Sequence, residues 1–135
     1  MIRKLALAFS VVLMLAAPAF AAPSALESGT FVSGAHETAG TVTIYKLDDG
    51  TRILRLSDFH TSNGPDVHVY LSEATEVKSN GDVVADGKFV DLGSIKGNVG
   101  NQNYELPAEL KLDAYHTVSI WCRRFSVNFG AAQLK

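Results

Sequence analysis

The sequence predicts a single all-β domain, an antiparallel β-sandwich or barrel of about seven to nine strands. Three observations lead to this prediction. Short runs rich in β-branched and aromatic residues recur along the chain, turns containing glycine or asparagine separate them, and almost no segment has helical periodicity. The chain beyond residue 21 has a length that fits one hydrophobic core.

The N-terminus has the three parts of a secretory signal peptide. A short basic start precedes the almost unbroken apolar run Leu5–Ala17, and Ala19-Phe20-Ala21 has the A-x-A pattern of a cleavage site. The apolar run is shorter than the ~20 residues that a membrane-spanning helix needs. We therefore predict that residues 1–21 are removed by cleavage after Ala21. The mature chain is expected to be soluble, to lack a transmembrane segment and to be secreted or periplasmic.

The mature chain begins with a polar stretch, so we expect residues 22–28 to be a loose N-terminus and residues 29–134 to form the domain. The clearest hairpin pairs Gly40–Leu47 with Thr51–Asp58. Between them stands Asp49-Gly50, a dipeptide typical of a type I′ turn.

The stretch NGPDVHVYLS, residues 63–72, predicts a turn followed by a strand that Pro65 opens. Successive side chains of a strand point to opposite faces. One face then carries the core residues Val67, Val69 and Leu71. The other face carries three residues that we expect to meet solvent or form a site: Asp66, His68 and Tyr70.

The second half of the domain alternates between polar connections and strands. Residues 73–87 predict a long surface connection with at most a short strand, and residues 88–93 predict a short strand. Residues 95–107 (IKGNVGNQNYELP) predict a loop fixed by side-chain amides that hydrogen-bond the local backbone. Residues 115–132 predict one long bent strand or two short ones.

Four stretches in order resemble the DM13 domain over residues 29–134. They are H-x-x-x-G-T-V starting at His36, NGPDVHVYLS, LGSIKGNVGNQNYELP and VSIWCRRFSVNFG. The resemblance implies an exported protein and an electron-transfer module built around one cysteine, either as a bare thiol or holding a prosthetic group. Cys122 of W-C-R-R-F matches that cysteine.

Cys122 is the only cysteine, so a disulfide within the chain is impossible and a redox role requires a partner protein. Strand alternation puts Cys122 on the same face as His116 and Arg124, and Arg123 on the other face. A nearby cation favours the reactive thiolate, whereas burial disfavours it. Arg123 and Arg124 are thus the candidate tuning residues. Alternatively, Cys122 is a small, inert core residue.

Histidines are the other candidate ligands, with His36 and His68 foremost. Asp66, two residues before His68, is placed to orient its imidazole. His116 is placed to cap a strand or to lie near Cys122. A c-type haem is excluded because it needs C-x-x-C-H. Since both methionines lie in the signal peptide, a blue-copper site needs another axial ligand. No cofactor, a noncovalent haem and copper all remain open.

Aromatic residues allow two interpretations. Large rings either stack around a flat cofactor or form the core of a small sandwich, and we favour the core because rings dominate burial in a domain of this size. The residues concerned are Tyr104, Trp121, Phe125 and Phe129.

Several function classes are disfavoured. The chain has no G-x-S-x-G, no H-E-x-x-H and no phosphate-binding glycine loop, so we do not expect a hydrolase, kinase or dehydrogenase. Its net charge of −2 does not indicate a nucleic-acid-binding protein, which is typically basic. The main hypothesis is an exported redox or electron-transfer module centred on Cys122. The alternative is a noncatalytic ligand- or protein-binding module of the cell envelope that uses the Asp66, His68 and Tyr70 face.

Overall fold

The computed structural model describes residues 10–17 and 22–135. Most of the predicted signal peptide, together with its cleavage site, falls on residues 1–9 and 18–21 and lies outside the described residues. Within the described ranges, no helix is long and apolar enough to cross a membrane.

Eight antiparallel strands form one barrel-like sheet. The strands are β1 (Ser24–Ser33), β2 (Ala39–Lys46), β3 (Arg52–His60), β4 (Val67–Ser72), β5 (Phe89–Ser94), β6 (Gln102–Glu105), β7 (Thr117–Cys122) and β8 (Val127–Gln133). Their spatial order is β5-β4-β7-β8-β1-β2-β3-β6. The all-β antiparallel prediction and the expected number of strands are confirmed.

The barrel is nearly closed, with a seam between β5 and β6. These two strands end the spatial order, and side chains of β6 hold the loop that connects them. The Lys96 N–H donates to Tyr104 Oη at 2.9 Å and also lies 3.2 Å from Gln102 Oε1. The Gln102 amide further bonds the backbone of Gly97 and Gly100, which fixes the loop between the two strands. A side-chain amide holds the loop as expected, but the predicted loop over residues 95–107 is too long, because Gln102–Glu105 form β6.

Alternating residues of the strands fill the barrel interior. The fully buried apolar side chains recur at every second position, as period-two pleating requires: Val42, Ile44, Leu54, Leu56, Val69, Leu71, Val118 and Ile120. The predicted core face of β4 is thus confirmed.

The β2–β3 hairpin is present, but its turn differs from the type I′ prediction. Only Gly50 of the Asp49-Gly50 pair has a positive φ, at +86°. The Gly50 N–H donates to Leu47 O, and the Leu47 N–H donates to Thr51 O. This is a three-residue loop that ends in a glycine bulge, the next most common solution for a hairpin.

The N-terminal stretch expected to be loose instead belongs to β1. Ser24 pairs with Lys46, and the β1–β2 ladder continues to Thr30, with a bulge between Ala25 and Glu27.

The connection between β4 and β5 covers the outer face of the sheet. It contains a one-turn helix, α1 (Asn80–Val83), and no strand, unlike the short strand allowed by the sequence. Val83 packs against Tyr70 and Trp121 in a second apolar cluster outside the barrel. Ser72 Oγ donates to Val83 O at 2.6 Å. As a result, β4 and β7 are buried on both faces.

Four connections meet at one end of the barrel. Because neighbouring strands are antiparallel throughout, every turn from an odd-numbered strand to the next even-numbered one lies at the same end. We call this the Cys122 end, formed by residues 34–38, 61–66, 95–101 and 123–126. The stretches that carry the family resemblance therefore converge, and contacts such as Thr38 Oγ1 to Thr61 Oγ1 at 3.0 Å tie them together.

Candidate functional site

Cys122 is the last residue of β7 and faces the barrel interior. Its exposed fraction is 0%, and it belongs to the main apolar core cluster. Its strand neighbours are Val67 on one side and Val127 on the other. The next residue, Arg123, is exposed. The thiol is therefore fully buried, yet only one residue from the end of its strand.

Arg123 and Arg124 lie in the turn between β7 and β8 and not in a continuing strand. The expectation that Arg124 shares the strand face of Cys122 is wrong, since alternation ends where β7 ends. The Arg124 guanidinium lies 5.9 Å from the centre of the Phe125 ring. Arg123 Nη1 lies 3.8 Å from Asp91 Oδ2 on the outer face. Both cations point to the surface, outside the apolar surroundings of the sulfur.

His68 lies on the outer face of β4 between two carboxylates. Its Nε2 is 2.7 Å from Asp66 Oδ1, and its Nδ1 is 2.9 Å from Asp91 Oδ1. The His68 side chain is 8% exposed, against 44% for Asp66 and 31% for Asp91. The expected Asp66–His68 contact is present, while the outward face that we expected to meet solvent is largely covered.

Both ring nitrogens of His68 are engaged, which limits what this residue can do. The partner of each ring nitrogen is a carboxylate oxygen, which accepts hydrogen bonds when it is ionised. His68 therefore has no free nitrogen for a metal unless one carboxylate contact breaks. In the present geometry its role is to link β4 to β5 and to the turn before β4.

Tyr70 stacks between two other rings on the same outer face. Its ring centre lies 4.7 Å from that of Phe89 and 5.7 Å from that of Trp121, with interplanar angles of 16° and 20°. Burial is the main cause that raises the pKa of the Tyr70 phenol above its usual value of 10.0, and the charge of Asp91 adds to the shift. The neutral phenol is thus the form that folding favours.

A pH dependence follows from the raised pKa of Tyr70. A group whose pKa rises on folding stabilises the protein below its unfolded pKa, and that contribution is lost as the pH climbs through the folded value. We expect the free energy of unfolding to fall above about pH 10, and to fall less steeply in Tyr70→Phe. Urea titrations at several alkaline pH values measure this. Tyr45→Phe, on the partly exposed β2, is the control. If Tyr45→Phe reduces the alkaline slope of the free energy of unfolding as much as Tyr70→Phe does, the assignment to Tyr70 is wrong.

Two further histidines lie at opposite ends of the barrel. His36 is exposed at the Cys122 end, with its ring 4.2 Å from that of Phe129. His116 precedes β7 and donates its backbone N–H to Ser72 O. A strand rises ~3.3 Å per residue, so His116 lies roughly 20 Å from Cys122 at the opposite end of the barrel. The expectation that His116 lies near Cys122 is wrong.

The residues present do not fit a haem or copper ion at Cys122. No three His, Cys, Asp or Glu side chains in the described part of the chain converge as metal ligands. A groove of about 960 Å³ runs between β1, β8 and residues 76–80, and a second of about 370 Å³ lies beside Tyr45, but neither contains a histidine or Cys122. Haem needs an axial ligand from the protein; the larger groove has no His, Cys, Met or Tyr side chain, and the smaller groove offers only Tyr45.

The aromatic residues pack as core, with one exception. Tyr104, Trp121 and Phe129 are buried in the apolar clusters, which confirms the core interpretation for them. Phe125 is 63% exposed in the β7–β8 turn, so its assignment to the core was wrong.

Asp91 is the site residue that the sequence reasoning missed. It lies on β5 opposite Tyr70, and it contacts both His68 and Arg123. The only signal in the sequence was a lone acidic residue inside the short apolar strand KFVDLG.

Comparison with known proteins gives one match. A family model described as Electron transfer DM13 matches residues 30–134, from the later part of β1 to the end of β8. No curated protein and no solved structure matches the chain.

Proposed function

Because the chain belongs to the DM13 family, whose description is electron transfer, we propose that it is an exported redox module with Cys122 as the reacting group. The observation that carries the proposal is the position of Cys122. The only thiol of the chain is the last residue of β7, at the end of the barrel where the four family-like stretches converge.

A single thiol restricts the chemistry to an exchange with a second molecule. The Cys122 thiolate attacks one sulfur of a partner disulfide. A new bond joins Cys122 Sγ to that sulfur, the partner's S–S bond breaks, and the other partner sulfur leaves as a thiolate. A thiolate of a second, reduced dithiol partner then attacks Cys122 Sγ, breaks its bond to the first partner and releases that partner fully reduced. The other thiolate of the second partner attacks its own sulfur bonded to Cys122, closes a disulfide within the second partner and releases Cys122 as a thiolate. Two electrons then pass between partner molecules through Cys122, with no further oxidant.

The buried sulfur requires local opening of the β7–β8 hairpin. The Cys122–Val127 pair is the last of its ladder, and the register is already irregular between Ile120 and Trp121. Ser126 in the turn has a φ of +53°, a conformation that strains a residue with a side chain. Terminal ladder pairs open at lower free energy than the core. Transient separation of this pair would bring the sulfur to solvent at the Cys122 end.

Reaction of Cys122 with a small disulfide tests the proposal. We expect mature protein to form a mixed disulfide far faster than it unfolds, and Cys122→Ser to form none, as measured by intact mass against time. In cells, Cys122→Ser should abolish function while the protein stays folded. Protein recovered from the native compartment should begin at Ala22, which tests export with the same mass measurement.

A matched pair of variants tests the opening step. Ser126→Gly relieves the positive φ and should slow the reaction of Cys122 roughly threefold to fivefold by making the closed turn more favourable. Asp86→Gly relieves a similar φ of +56° in the β4–β5 connection and should leave the rate unchanged. If Cys122 reacts only at the rate of global unfolding in urea, the thiol is core packing and the proposed redox role fails.

The alternative binding interpretation receives less support from the geometry. Tyr70 is covered by the β4–β5 connection, and both nitrogens of His68 are engaged by Asp66 and Asp91. Little of that face is left open to a ligand.

A further inference from the structure

The turn between β7 and β8 presents an exposed aromatic ring next to two cations. Phe125 is 63% exposed, and Arg123 and Arg124 beside it are exposed as well. The whole chain has a net charge of −2, yet residues 123–126 contain two arginines and no acidic residue. Arg124 makes no ion pair with any described residue, and its guanidinium lies near the Phe125 ring. We call residues 123–126 the basic tip.

The basic tip is held in place on several sides. The Arg123 N–H donates to Asp66 O at 2.9 Å, and its guanidinium approaches Asp91. The Arg124–Phe125 contact has the geometry of a cation–π pair, which keeps the ring and the charge together. An ordered surface loses less conformational entropy on binding than a mobile one.

We propose that the basic tip docks onto an acidic segment of the partner protein, with Phe125 contacting an apolar side chain among the acidic ones. This inference rests on the proposed function, because it gives the redox partner a place to bind. Arginine and aromatic residues are enriched where binding energy concentrates in interfaces. Charge complementarity selects an acidic partner, since Arg124 has no ion-pair partner among the described residues.

The position of the basic tip connects docking to Cys122. Phe125 is three residues after Cys122, so the two Cα atoms are at most roughly 10 Å apart. A partner held on Phe125 and Arg124 is therefore next to the strand end that must open. Val99 is also strongly exposed at the Cys122 end, but its chain neighbours Asn98 and Gly100 are uncharged.

A binding experiment that does not depend on thiol chemistry tests this surface. The protein carries Cys122→Ser, and the probe is a fluorescent synthetic peptide of alternating glutamate and leucine, measured by anisotropy. We expect salt-sensitive binding that weakens about tenfold in Arg124→Glu and in Phe125→Ser. A peptide of alternating lysine and leucine should not bind.

Two matched controls separate the tip from the rest of the surface. Val99→Ser removes an equally exposed apolar residue at the same end, and Lys46→Glu reverses a charge at the opposite end. The affinity of both variants for the acidic peptide should stay within about twofold of that of the parent protein. If the control variants lose as much affinity for the acidic peptide as the tip variants do, the proposal is overturned. The proposal would also be overturned if the lysine peptide bound as tightly as the acidic peptide. The same holds if the protein bound anionic lipid vesicles but not the acidic peptide.

The two proposals fail in different ways. If the tip variants lose peptide binding while Cys122 stays inert towards disulfides, the docking surface stands and the redox role falls. If Cys122 reacts as proposed while the tip variants bind the peptide normally, the redox role stands and the docking surface falls.

Discussion

Replacing Gly40 with alanine is expected to lower the free energy of unfolding by about 3 kcal/mol. Gly40 forms a bulge where β2 begins, with a φ of +109°, a backbone conformation that other residues rarely adopt. A Cβ there would lie 2.7 Å from Ser57 O and 2.8 Å from Asp58 O. Both contacts are with backbone atoms of the paired strand, so no side chain can move aside. Urea unfolding followed by Trp121 fluorescence measures the loss.

Gly50→Ala is the matched control for Gly40→Ala. Gly50 also has a positive φ, at +86°, but a Cβ at that position would meet nothing within 4 Å. The expected cost is therefore only that of the backbone conformation, about 1 kcal/mol. If the two variants lose the same stability, the close approach of β3 to Gly40 contributes nothing, and the steric argument is wrong.

Replacing His68 with leucine is expected to cost about 2–4 kcal/mol at neutral pH. The change removes two hydrogen bonds to charged groups and leaves Asp66 and Asp91 facing each other across an apolar side chain. The less exposed Asp91 contact should account for most of the loss, because solvent screens Asp66 more strongly. Denaturant unfolding at neutral pH measures the effect.

A double-mutant cycle isolates the His68–Asp91 contact. Asp91→Asn keeps the shape of the side chain and removes its charge. The variant that combines it with His68→Leu should therefore lose clearly less stability than the two single variants lose in sum. Asp66→Asn serves as the comparison and should couple more weakly to His68→Leu. Strict additivity of His68→Leu and Asp91→Asn would show that this contact adds no stability.

Local patterns were sufficient to predict most of the strands. The alternation in β4 correctly separated Val69 and Leu71 from His68 and Tyr70, because successive side chains of a strand point to opposite faces. The same rule failed after Cys122. The turn there, Arg-Arg-Phe-Ser, contains no glycine, proline or asparagine to mark it, and Ser126 adopts the positive φ that such residues usually supply.

The candidate site depended on long-range pairing that local patterns do not encode. Asp91 reaches His68 only because β5 pairs with β4 across a connection of 16 residues that itself covers the outer face. Nothing in that connection's polar composition indicated that Val83 would bury Tyr70 and Trp121. From the sequence, Cys122 and His116 were expected on one strand. The bounds of β7 show that they lie at opposite ends of the barrel.

The seam of the barrel also bears on how the molecule avoids self-association. A strand edge without a ladder partner can pair with another chain. Here the exposed edge is kept short, because β6 has only four residues. The Lys96–Tyr104–Gln102 contacts hold the loop between β5 and β6 against β6. With an edge strand this short, a second copy of the chain finds little backbone at β6 with which to form a shared sheet.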